Sequence, residues 1–422
     1  MAPAEDRKRA GVVSALTCGK DDRMQDLRAS DVNVQARPDR TVATVPFNVA
    51  PVVGTEANCI EDALRSGRLS GDGSYGKRCE ERLLGSIGGC GALLTSSGTH
   101  ALEIAALLLR LQPGDEIIMP SFTFVTTANA FVLRGAVPVF VDIRSDTMNI
   151  DESLIEAAIT PRTRAIVVVH YAGVACEMSR ILEIAKCHRL TVIEDAAHAI
   201  GASWMEKPLG SIGDIGAFSF HDTKNLTSGG EGGMISLQDP DGLDLAKILR
   251  EKGTNRSAFR EGRVDKYEWI DVGSSYLMNE ISAAYLYAQL QWVDDITSER
   301  RSICSTYRKA FAELAALNRI ELQQEPPEAR SPGHLFYLKM RDEADRRSFI
   351  SFMRDRGVTV VFHYVPLHAT PAGRKYGRFV GRDVVTTRDS LRLVRLPVFY
   401  KMTAAQQAAV IDAALAYFGE NP

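Results

Sequence analysis

Short runs of β-branched and other apolar residues alternate with amphipathic, helix-like segments through the middle of the chain. The strand-like runs lie at 92–96, 116–119, 137–143, 165–170, 191–194, 216–220 and 234–237. Segments with apolar residues at helical spacing lie between them, at 101–111, 151–158 and 179–186. This succession of strands and helices predicts an α/β fold in which helices cover both faces of a mostly parallel sheet.

The pattern changes at both ends of this core region. From Asn279 a weakly broken helical stretch runs past Arg301 to Tyr307, which predicts a connector to a second domain. We therefore predict a large domain at 44–290 and a smaller C-terminal α+β domain at 291–422. Residues 1–43 are charged, lack aromatic residues and show no sustained periodicity, which predicts a flexible extension.

Composition narrows the class of protein. The 422 residues include 50 basic and 53 acidic side chains, so the chain has no electrostatic footprint for nucleic acid or an anionic membrane. No apolar stretch reaches membrane-spanning length. The seven cysteines are scattered along the chain, and no two of them form a Cys-x-x-Cys pair. This distribution is typical of a cytoplasmic protein with neither a disulfide framework nor a metal site.

Lys224 is the most informative candidate for chemistry. It stands between an apolar strand-like run and the glycine-rich turn that ends at Gly233. A lysine in this position can hold a carbonyl cofactor as a Schiff base, which indicates pyridoxal phosphate. Upstream, Asp195 ends another strand-like run, where the ligand sites of parallel sheets lie. A carboxylate beside the pyridine nitrogen keeps that nitrogen protonated, so the ring can withdraw electrons from the reacting carbon.

Further residues provide the other groups that this cofactor needs. A turn that contains Ser97, Gly98 and Thr99 lies between a strand and a helix and offers amides and hydroxyls to a phosphate. Ser219 adds a hydroxyl from the strand before Lys224. In the segment Pro-Ser-Phe-Thr-Phe at 120–124, we predict that Phe124 stacks on the ring and that Phe122 packs in the core.

These motifs resemble the DegT-type sugar-nucleotide aminotransferases, which are fold type I pyridoxal-phosphate enzymes. The resemblance extends from Val45 to Phe418, and Ser-Gly-Thr, Pro-Ser-Phe-Thr-Phe, Glu-Asp-Ala-Ala and Phe-Ser-Phe-x-x-x-Lys-Asn follow the family's order and spacing. Within the family, the chain is most similar to the dTDP-4-amino-4,6-dideoxygalactose transaminases. The segments that carry this finer similarity are 47–51, 169–178, 250–257, 273–278 and 362–368.

The resemblance implies roles for individual residues. It assigns Lys224 to the cofactor linkage and proton transfer, Asp195 to the pyridine nitrogen and Phe124 to the ring face. It assigns the phosphate to Gly98, Thr99 and Ser219, next to Ser97. Two positions depart from the common pattern: His198 replaces a glutamine, and Ser275 replaces an asparagine that reaches the partner subunit's phosphate. The candidate contacts to the sugar and its diphosphate are His221, Lys252, Asn255, Arg256, Tyr364 and His368.

The same resemblance implies a reaction. It predicts a homodimer with shared active sites that transfers the amine of L-glutamate to C4 of dTDP-4-keto-6-deoxy-D-glucose, with pyridoxamine phosphate formed between the two half-reactions. The product is a dTDP-4-amino-4,6-dideoxyhexose of galacto or gluco configuration. The excess of arginine over lysine is typical of a GC-rich genome, which favours a role in deoxysugar formation for a secondary metabolite.

Alternatives to this reaction stay open at the level of sequence. The same scaffold can aminate C3 of a related keto sugar nucleotide, and a protein of another class could bind a nucleotide sugar as a regulator without turnover. Relatives that use the fold for deoxygenation replace the lysine, and the presence of Lys224 argues against that activity.

Overall fold

The computed structural model of the chain describes residues 44–420, so the predicted extension at 1–43 lies outside the described residues. Within 44–420 the strands are β1 (Gly91–Thr95), β2 (Glu116–Pro120), β3 (Val137–Val141), β4 (Thr163–Val169), β5 (Thr191–Asp195), β6 (Ser203–Trp204), β7 (Lys207–Pro208), β8 (Ile215–Ser219), β9 (Gly233–Leu237), β10 (Glu321–Leu322), β11 (Ala329–Arg330), β12 (Phe336–Lys339), β13 (Arg378–Phe379) and β14 (Leu393–Leu396).

The helices divide into those around the main sheet and those that follow it. In the same described part of the chain they are α1 (Glu56–Arg65), α2 (Ser74–Ile87), α3 (Gly98–Leu108), α4 (Val125–Val132), α5 (Ile155–Ala158), α6 (Met178–His188), α7 (Pro240–Arg250), α8 (Arg256–Arg260), α9 (Glu280–Leu290), α10 (Val293–Ala310), α11 (Ala312–Ala316), α12 (Glu343–Asp355), α13 (Pro371–Tyr376), α14 (Thr386–Arg392) and α15 (Ala404–Glu420). None of these helices is long and apolar enough to cross a membrane.

The main sheet has eight strands in the order β1-β9-β8-β5-β4-β2-β3-β13. β9 runs antiparallel to both of its neighbours, and the pairs from β8 across to β13 are parallel. The sequence prediction of a mostly parallel sheet is therefore confirmed. Each strand-like run in the sequence forms a strand whose ends differ from the expected ends by a few residues at most.

Helices cover both faces of this sheet. Successive residues of a strand point to opposite faces, and in β2 Ile117 and Ile118 accordingly belong to different buried clusters. The cluster around Ile117 includes residues of α3, α4 and α7, whereas the cluster around Ile118 includes residues of α2, α6 and α9. Because both faces are apolar, the parallel strands have nearly continuous hydrophobic sequences.

The C-terminal part has a core of its own. The long helical stretch in the sequence forms two helices, α9 and α10, with a break at Gln291 and Trp292. Beyond them β10, β12 and β14 form an antiparallel sheet that packs on α12 and α15. Phe336 and Phe349 are fully buried in this cluster. The arrangement is the predicted smaller α+β unit, and the boundary at residue 290 stays a prediction.

A buried carboxylate fixes the end of the central strand β5. Glu194 accepts hydrogen bonds from the backbone amides of Gly210 at 2.8 Å, Ile212 at 2.7 Å and Gly213 at 2.6 Å. Its carboxylate also lies 2.8 Å from Nε2 of His170, which directly follows β4. These contacts join β4, β5 and the loop before β8, so they position the strand ends that carry the candidate chemistry.

We predict that Glu194→Gln destabilises the protein in a pH-dependent way. Burial alone would raise the pKa of Glu194, but the hydrogen bonds from His170 and the backbone amides hold this pKa below its ordinary value of 4.5. A lowered pKa means that ionised Glu194 stabilises the fold above pH 4.5 and that this contribution is lost as the pH falls through the folded-state pKa. The substitution should cost about 3 kcal/mol of unfolding free energy at pH 7.

The measurement is urea unfolding of the wild type and the variant between pH 7 and pH 3.5. The difference in unfolding free energy should narrow on acidification, because the wild-type carboxylate then becomes protonated too. Glu183→Gln on the exposed face of α6 is the matched control and should change stability by less than about 0.5 kcal/mol. A constant difference across the pH range would contradict the role given to the ionised carboxylate.

Candidate active site

A cavity of about 720 Å³ lies at the carboxyl ends of β4, β5 and β8. Ligands in parallel sheets bind at this edge, because the strand ends and the following loops converge there. The sequence-predicted site residues that line the cavity are Ser97, Gly98, Thr99, Phe124, Asp195, His198, Ser219, His221, Lys224 and Tyr364. Segments far apart in the chain thus meet around one space.

The other predicted contact residues lie outside the cavity in the described chain and have partners of their own. Arg256 forms a salt bridge with Glu251 at 3.2 Å, and the side-chain oxygen of Asn255 accepts from the amide of Glu268 at 2.7 Å. His368 is held between Ser121 and Asp383. Lys252 and Ser275 are exposed, and the amide of Lys252 donates to the carbonyl of Ser274, the residue before Ser275, at 2.9 Å. Their contacts to ligands stay predictions.

Asp195 is the last residue of β5, and its carboxylate faces the cavity. Oδ2 accepts from Oγ1 of Thr127 at 2.7 Å, and Oδ1 accepts from the amide of Ala197 at 3.2 Å. Thr127 is in turn linked to Thr123 at 2.7 Å. Burial raises the pKa of Asp195, while the Thr127 hydrogen bond and the charge of Lys224 oppose this rise. A cationic group in the cavity would keep this carboxylate ionised.

Lys224 reaches the same cavity from the loop after β8. Burial and the positive charge of Arg395 lower its pKa to about 8, against the opposing attraction of Asp195. The next residue fixes the loop, since Asn225 contacts the carbonyl of Pro332 at 3.2 Å and Nδ1 of His334 at 2.8 Å. The amine is therefore positioned by contacts from the C-terminal part of the chain.

The amino end of α3 forms a concave polar surface beside β8. Ser97 caps the helix by accepting from the amide of His100 at 3.1 Å. A Cβ at Gly98 would lie 2.9 Å from Cβ of Ser219, so glycine permits the close approach of helix and strand. The first amides of a helix have no intrahelical partner, and with the Ser219 hydroxyl nearby they can bind an anion.

Aromatic side chains form the opposite wall. Phe124 is 53% exposed and contacts Tyr364, with ring centroids 6.2 Å apart. His363 stacks on Tyr364 at 3.6 Å and bonds the hydroxyl of Tyr171 at 2.7 Å. Phe122 is fully buried in a neighbouring cluster, as the sequence predicted. Phe124 can therefore contact a flat ligand from one side.

Histidines complete this part of the cavity. His198 stacks on His334 with centroids 4.2 Å apart, and its Nε2 lies 3.4 Å from the hydroxyl of Tyr364. Its buried Nδ1 has no hydrogen-bond partner in residues 44–420. Burial and nearby positive charge hold the pKa of His198 and the pKa of His334 well below their ordinary value, so both rings are neutral. A neutral ring can both donate and accept a hydrogen bond.

Sequence reasoning missed Thr127, His334, His363 and Arg395. None of these four residues lies in a segment that was used to predict the cofactor site. His363 lies in the segment 362–368, which was used only for the finer family similarity. Thr127 follows Phe124 by one helical turn, which is the single sequence signal that could have linked it to the site.

The residues in the cavity fit pyridoxal phosphate. The carboxylate of Asp195 suits a protonated ring nitrogen, and the lowered pKa of Lys224 suits an amine that reacts with a carbonyl. Glycine at position 98 lets the start of α3 approach Ser219 where a Cβ would clash, so the unpaired helix amides and the Ser219 hydroxyl line the cavity together and can hold the phosphate. Buried His198 Nδ1 offers a further polar atom without a partner in the described chain.

Comparisons with known proteins agree with this chemistry. Residues 52–415 match the DegT/DnrJ/EryC1/StrS aminotransferase family. An uncharacterized protein of Methanocaldococcus jannaschii is 35% identical over 89% of this chain and 98% of its own length. The spore coat polysaccharide biosynthesis protein SpsC of Bacillus subtilis is 33% identical over 87% of this chain and 96% of its own.

Solved structures with similar folds are also aminotransferases. An aminotransferase from Psychrobacter cryohalolentis superposes with a TM-score of 0.84 at 27% identity, over 89% of this chain and 99% of that one. The sugar aminotransferase Spr1654 of Streptococcus pneumoniae was solved in forms with pyridoxal and pyridoxamine phosphate. Each form has a TM-score of 0.80 at 26% identity, over 89% of this chain and 99% of that one. The chain thus has the fold type I architecture, and it belongs to the DegT/DnrJ/EryC1/StrS family of pyridoxal-phosphate-dependent aminotransferases.

Proposed function

We propose that this aminotransferase moves the amino group of L-glutamate to C4 of dTDP-4-keto-6-deoxy-D-glucose. The product is a dTDP-4-amino-4,6-dideoxyhexose of galacto or gluco configuration. The observation that carries amine transfer is the amine of Lys224, with its lowered pKa, in one cavity with the carboxylate of Asp195. The similarity to the 4-amino-4,6-dideoxygalactose enzymes supports the choice of substrate.

Part of that similarity falls on the cavity wall. Phe47 and Asn48 come from one of the subgroup segments, and Phe362, His363 and Tyr364 come from another, and all of them line the cavity. These residues are the candidates for contacts to the sugar or its nucleotide. The cavity volume of about 720 Å³ lies within the range of small-molecule and cofactor sites.

The chain's own groups divide the work of cofactor binding. Asp195 would pair with the ring nitrogen, Gly98, Thr99 and Ser219 would hold the phosphate, and Phe124 would contact the ring. His198, neutral and next to Tyr364, donates a hydrogen bond to the cofactor's phenolic oxygen. When bound, pyridoxal phosphate supplies an electron sink for the charge that develops on the amine-bearing carbon.

Lys224 moves protons at the reacting carbon. With a pKa of about 8, roughly a tenth of its amines are neutral at pH 7, against less than about a thousandth at the ordinary lysine value. A neutral amine can accept a proton from the donor's α-carbon, and with the cofactor bound it would pass this proton to the cofactor's carbonyl carbon. In the second half-reaction it would move a proton from that carbon to C4 of the sugar. The lining of the cavity is largely apolar, which limits the competition of water for this proton.

We further propose that the protein works as a homodimer. The segment around Trp269 exposes several large apolar side chains, and Trp269 itself is 80% exposed. Phe124 at the cavity wall is also half exposed, so a second subunit can complete the site. Ser275 lies near the same exposed segment, which agrees with its predicted contact to the partner subunit's phosphate.

The first of three predictions from the proposed function concerns the oligomeric state. The wild type should sediment as a dimer, and Trp269→Glu should shift it towards the monomer by placing a charge in an apolar interface. Analytical ultracentrifugation over a range of protein concentrations measures this shift. Lys309→Glu on α10 is the control and should leave the sedimentation unchanged. A monomeric wild type with full activity would contradict the dimer.

The second prediction concerns the reaction. Purified protein with pyridoxal phosphate, L-glutamate and the keto sugar should give a sugar aminated at C4, identified by proton NMR. Small H3–H4 and H4–H5 couplings indicate the axial amine of the galacto product, and large couplings indicate the gluco product. Lys224→Ala should lower turnover by at least about a thousandfold and keep the far-UV circular dichroism of the wild type.

Lys309→Ala is the matched control for this substitution and should retain turnover. Turnover of a 3-keto nucleotide sugar, with none of the 4-keto sugar, would move the proposed position of amination to C3. A nucleotide sugar that binds but is aminated with none of several amine donors would instead favour a regulator.

The third prediction concerns the pKa of Lys224 in the cofactor-free protein. Competitive acetylation at several pH values, followed by mass spectrometry of the Lys224 peptide, should give a midpoint near 8. Asp195→Asn should lower this midpoint, because the carboxylate raises the pKa of Lys224. A midpoint near the ordinary value of 10.5 would contradict the desolvated position of the amine.

A further inference from the structure

Two buried threonines form a chain of hydroxyls that ends on Asp195. Oγ1 of Thr123 lies 2.7 Å from Oγ1 of Thr127, and Oγ1 of Thr127 lies 2.7 Å from Oδ2 of Asp195. Thr123 is 1% exposed and Thr127 is fully buried, so these contacts are shielded from solvent. Thr127 lies in the first turn of α4, and Thr123 lies just before that helix. The start of α4 therefore brings both hydroxyls to the end of β5.

The hydrogens of this chain have a fixed direction while Asp195 is ionised. A carboxylate can only accept, and a threonine hydroxyl carries a single hydrogen. Thr127 therefore donates to Asp195, and Thr123 donates to Thr127. Both hydroxyls point their positive ends towards the carboxylate, and each bond polarises the next. A proton on Oδ2 of Asp195 would have to donate to Thr127, so both hydroxyls would then turn away.

The ionisable groups around Asp195 give less constant support. Burial raises the pKa of Asp195, and the hydrogen bond from Thr127 is the largest effect that opposes this rise. The charge of Lys224 opposes it too, but this amine must be neutral when it reacts. Any charge on His170 is balanced by the buried carboxylate 2.8 Å from its ring, and burial raises the pKa of Tyr364, which keeps its hydroxyl neutral. The hydroxyl chain is the support that stays in place throughout a reaction.

Packing alone does not require these hydroxyls. Valine has nearly the shape of threonine, and Ala130 and Phe131, which are buried in the same helix as Thr127, are apolar. A buried hydroxyl costs free energy unless it finds a partner. The anion that the two threonines reach therefore accounts for their presence.

We propose that Thr127, with Thr123 behind it, keeps the proton shared between Asp195 and the cofactor on the ring nitrogen. This inference rests on the proposed pairing of Asp195 with that nitrogen and does not depend on the sugar. A proton between a pyridine nitrogen and a carboxylate can lie on either partner, and a hydroxyl that donates to the carboxylate makes the carboxylate the weaker base. The ring is a strong electron sink when its nitrogen is protonated. Thr127 is thus a positioning residue that acts through Asp195.

The test uses pyridoxamine phosphate with ¹⁵N in its ring and records the ¹⁵N NMR signal of the cofactor-loaded protein. The chemical shift of this nitrogen reports whether it carries the proton. At pH 7 the wild type should show the protonated ring, and Thr127→Val should move the signal towards that of the neutral ring. Thr123→Val leaves the direct contact to Asp195 in place and should give a smaller move in the same direction.

Two further variants complete this comparison. Thr127→Ser retains a hydroxyl and should restore the wild-type signal. Thr297→Val is the matched control, because Thr297 is buried in α10 and its hydroxyl donates to the carbonyl of Val293 in the same helix at 2.8 Å. An unmoved signal in Thr127→Val, or in Thr123→Val should the first variant not fold, would overturn the proposal.

The half-reaction with L-glutamate gives a second readout, followed by cofactor absorbance from the pyridoxal form. Thr127→Val should lower kcat about tenfold with little change in KM, because the electron sink acts on the transition state more than on binding. Thr127→Ser should lie within about threefold of the wild type, and Thr297→Val should match it. A loss confined to KM would contradict the role given to Thr127.

Asp195→Asn separates this inference from the pairing on which it rests. Without a carboxylate beside it, the ring nitrogen should give the signal of the neutral ring. A wild-type signal in Asp195→Asn would refute the pairing of Asp195 with the ring nitrogen. A moved signal in Asp195→Asn together with an unmoved signal in Thr127→Val would leave that pairing in place and overturn only the role of the threonines.

Discussion

The alternation of side chains along β5 is the constraint on which the site depends. Glu194 and Asp195 are adjacent carboxylates that point to opposite faces of one strand. Glu194 is fully satisfied by His170 and the amides of the loop before β8, so it fixes that loop and the strand that follows. That following strand, β8, ends at Ser219, and Lys224 lies in the loop after it. One buried anion therefore positions the polypeptide that carries the reactive amine opposite the second anion, Asp195.

The electrostatics of the cavity follow from burial and from cations that lie close together. Lys224 and Arg395 line the cavity with the carboxylates of Asp195 and Glu231, and burial lowers the pKa of the surrounding histidines. In such a site the charged form of Lys224 is disfavoured, because desolvation and the like charge of Arg395 both lower its pKa. The groups that make Lys224 reactive are thus the same groups that favour an anionic ligand, so reactivity and ligand selection have a common physical origin.

The sequence predicted the features that local patterns encode. The strand runs, the helix amino end at Ser97 and the motif residues Asp195 and Lys224 lie where parallel-sheet rules put them. Long-range partners were not predictable in this way. Arg395 looks like an ordinary strand residue, and it lines the cavity only because β14 pairs with β12. His368 looked equally suited to a ligand, but Asp383 and Ser121 satisfy its ring.

The cavity is assembled from two walls of separate origin. Ser97, Asp195, Ser219 and Lys224 come from the part of the chain that forms the main sheet, whereas His334, Tyr364 and Arg395 come from the C-terminal part. The contact between Asn225 and His334 joins the walls immediately beside the amine. Exchanges in the second wall at positions other than His334 and Arg395 can alter which molecules are admitted while the position and the pKa of the Lys224 amine are kept. The substrate range of such an enzyme can therefore diversify through changes on one side of its active site, while the residues that transfer the amine stay the same.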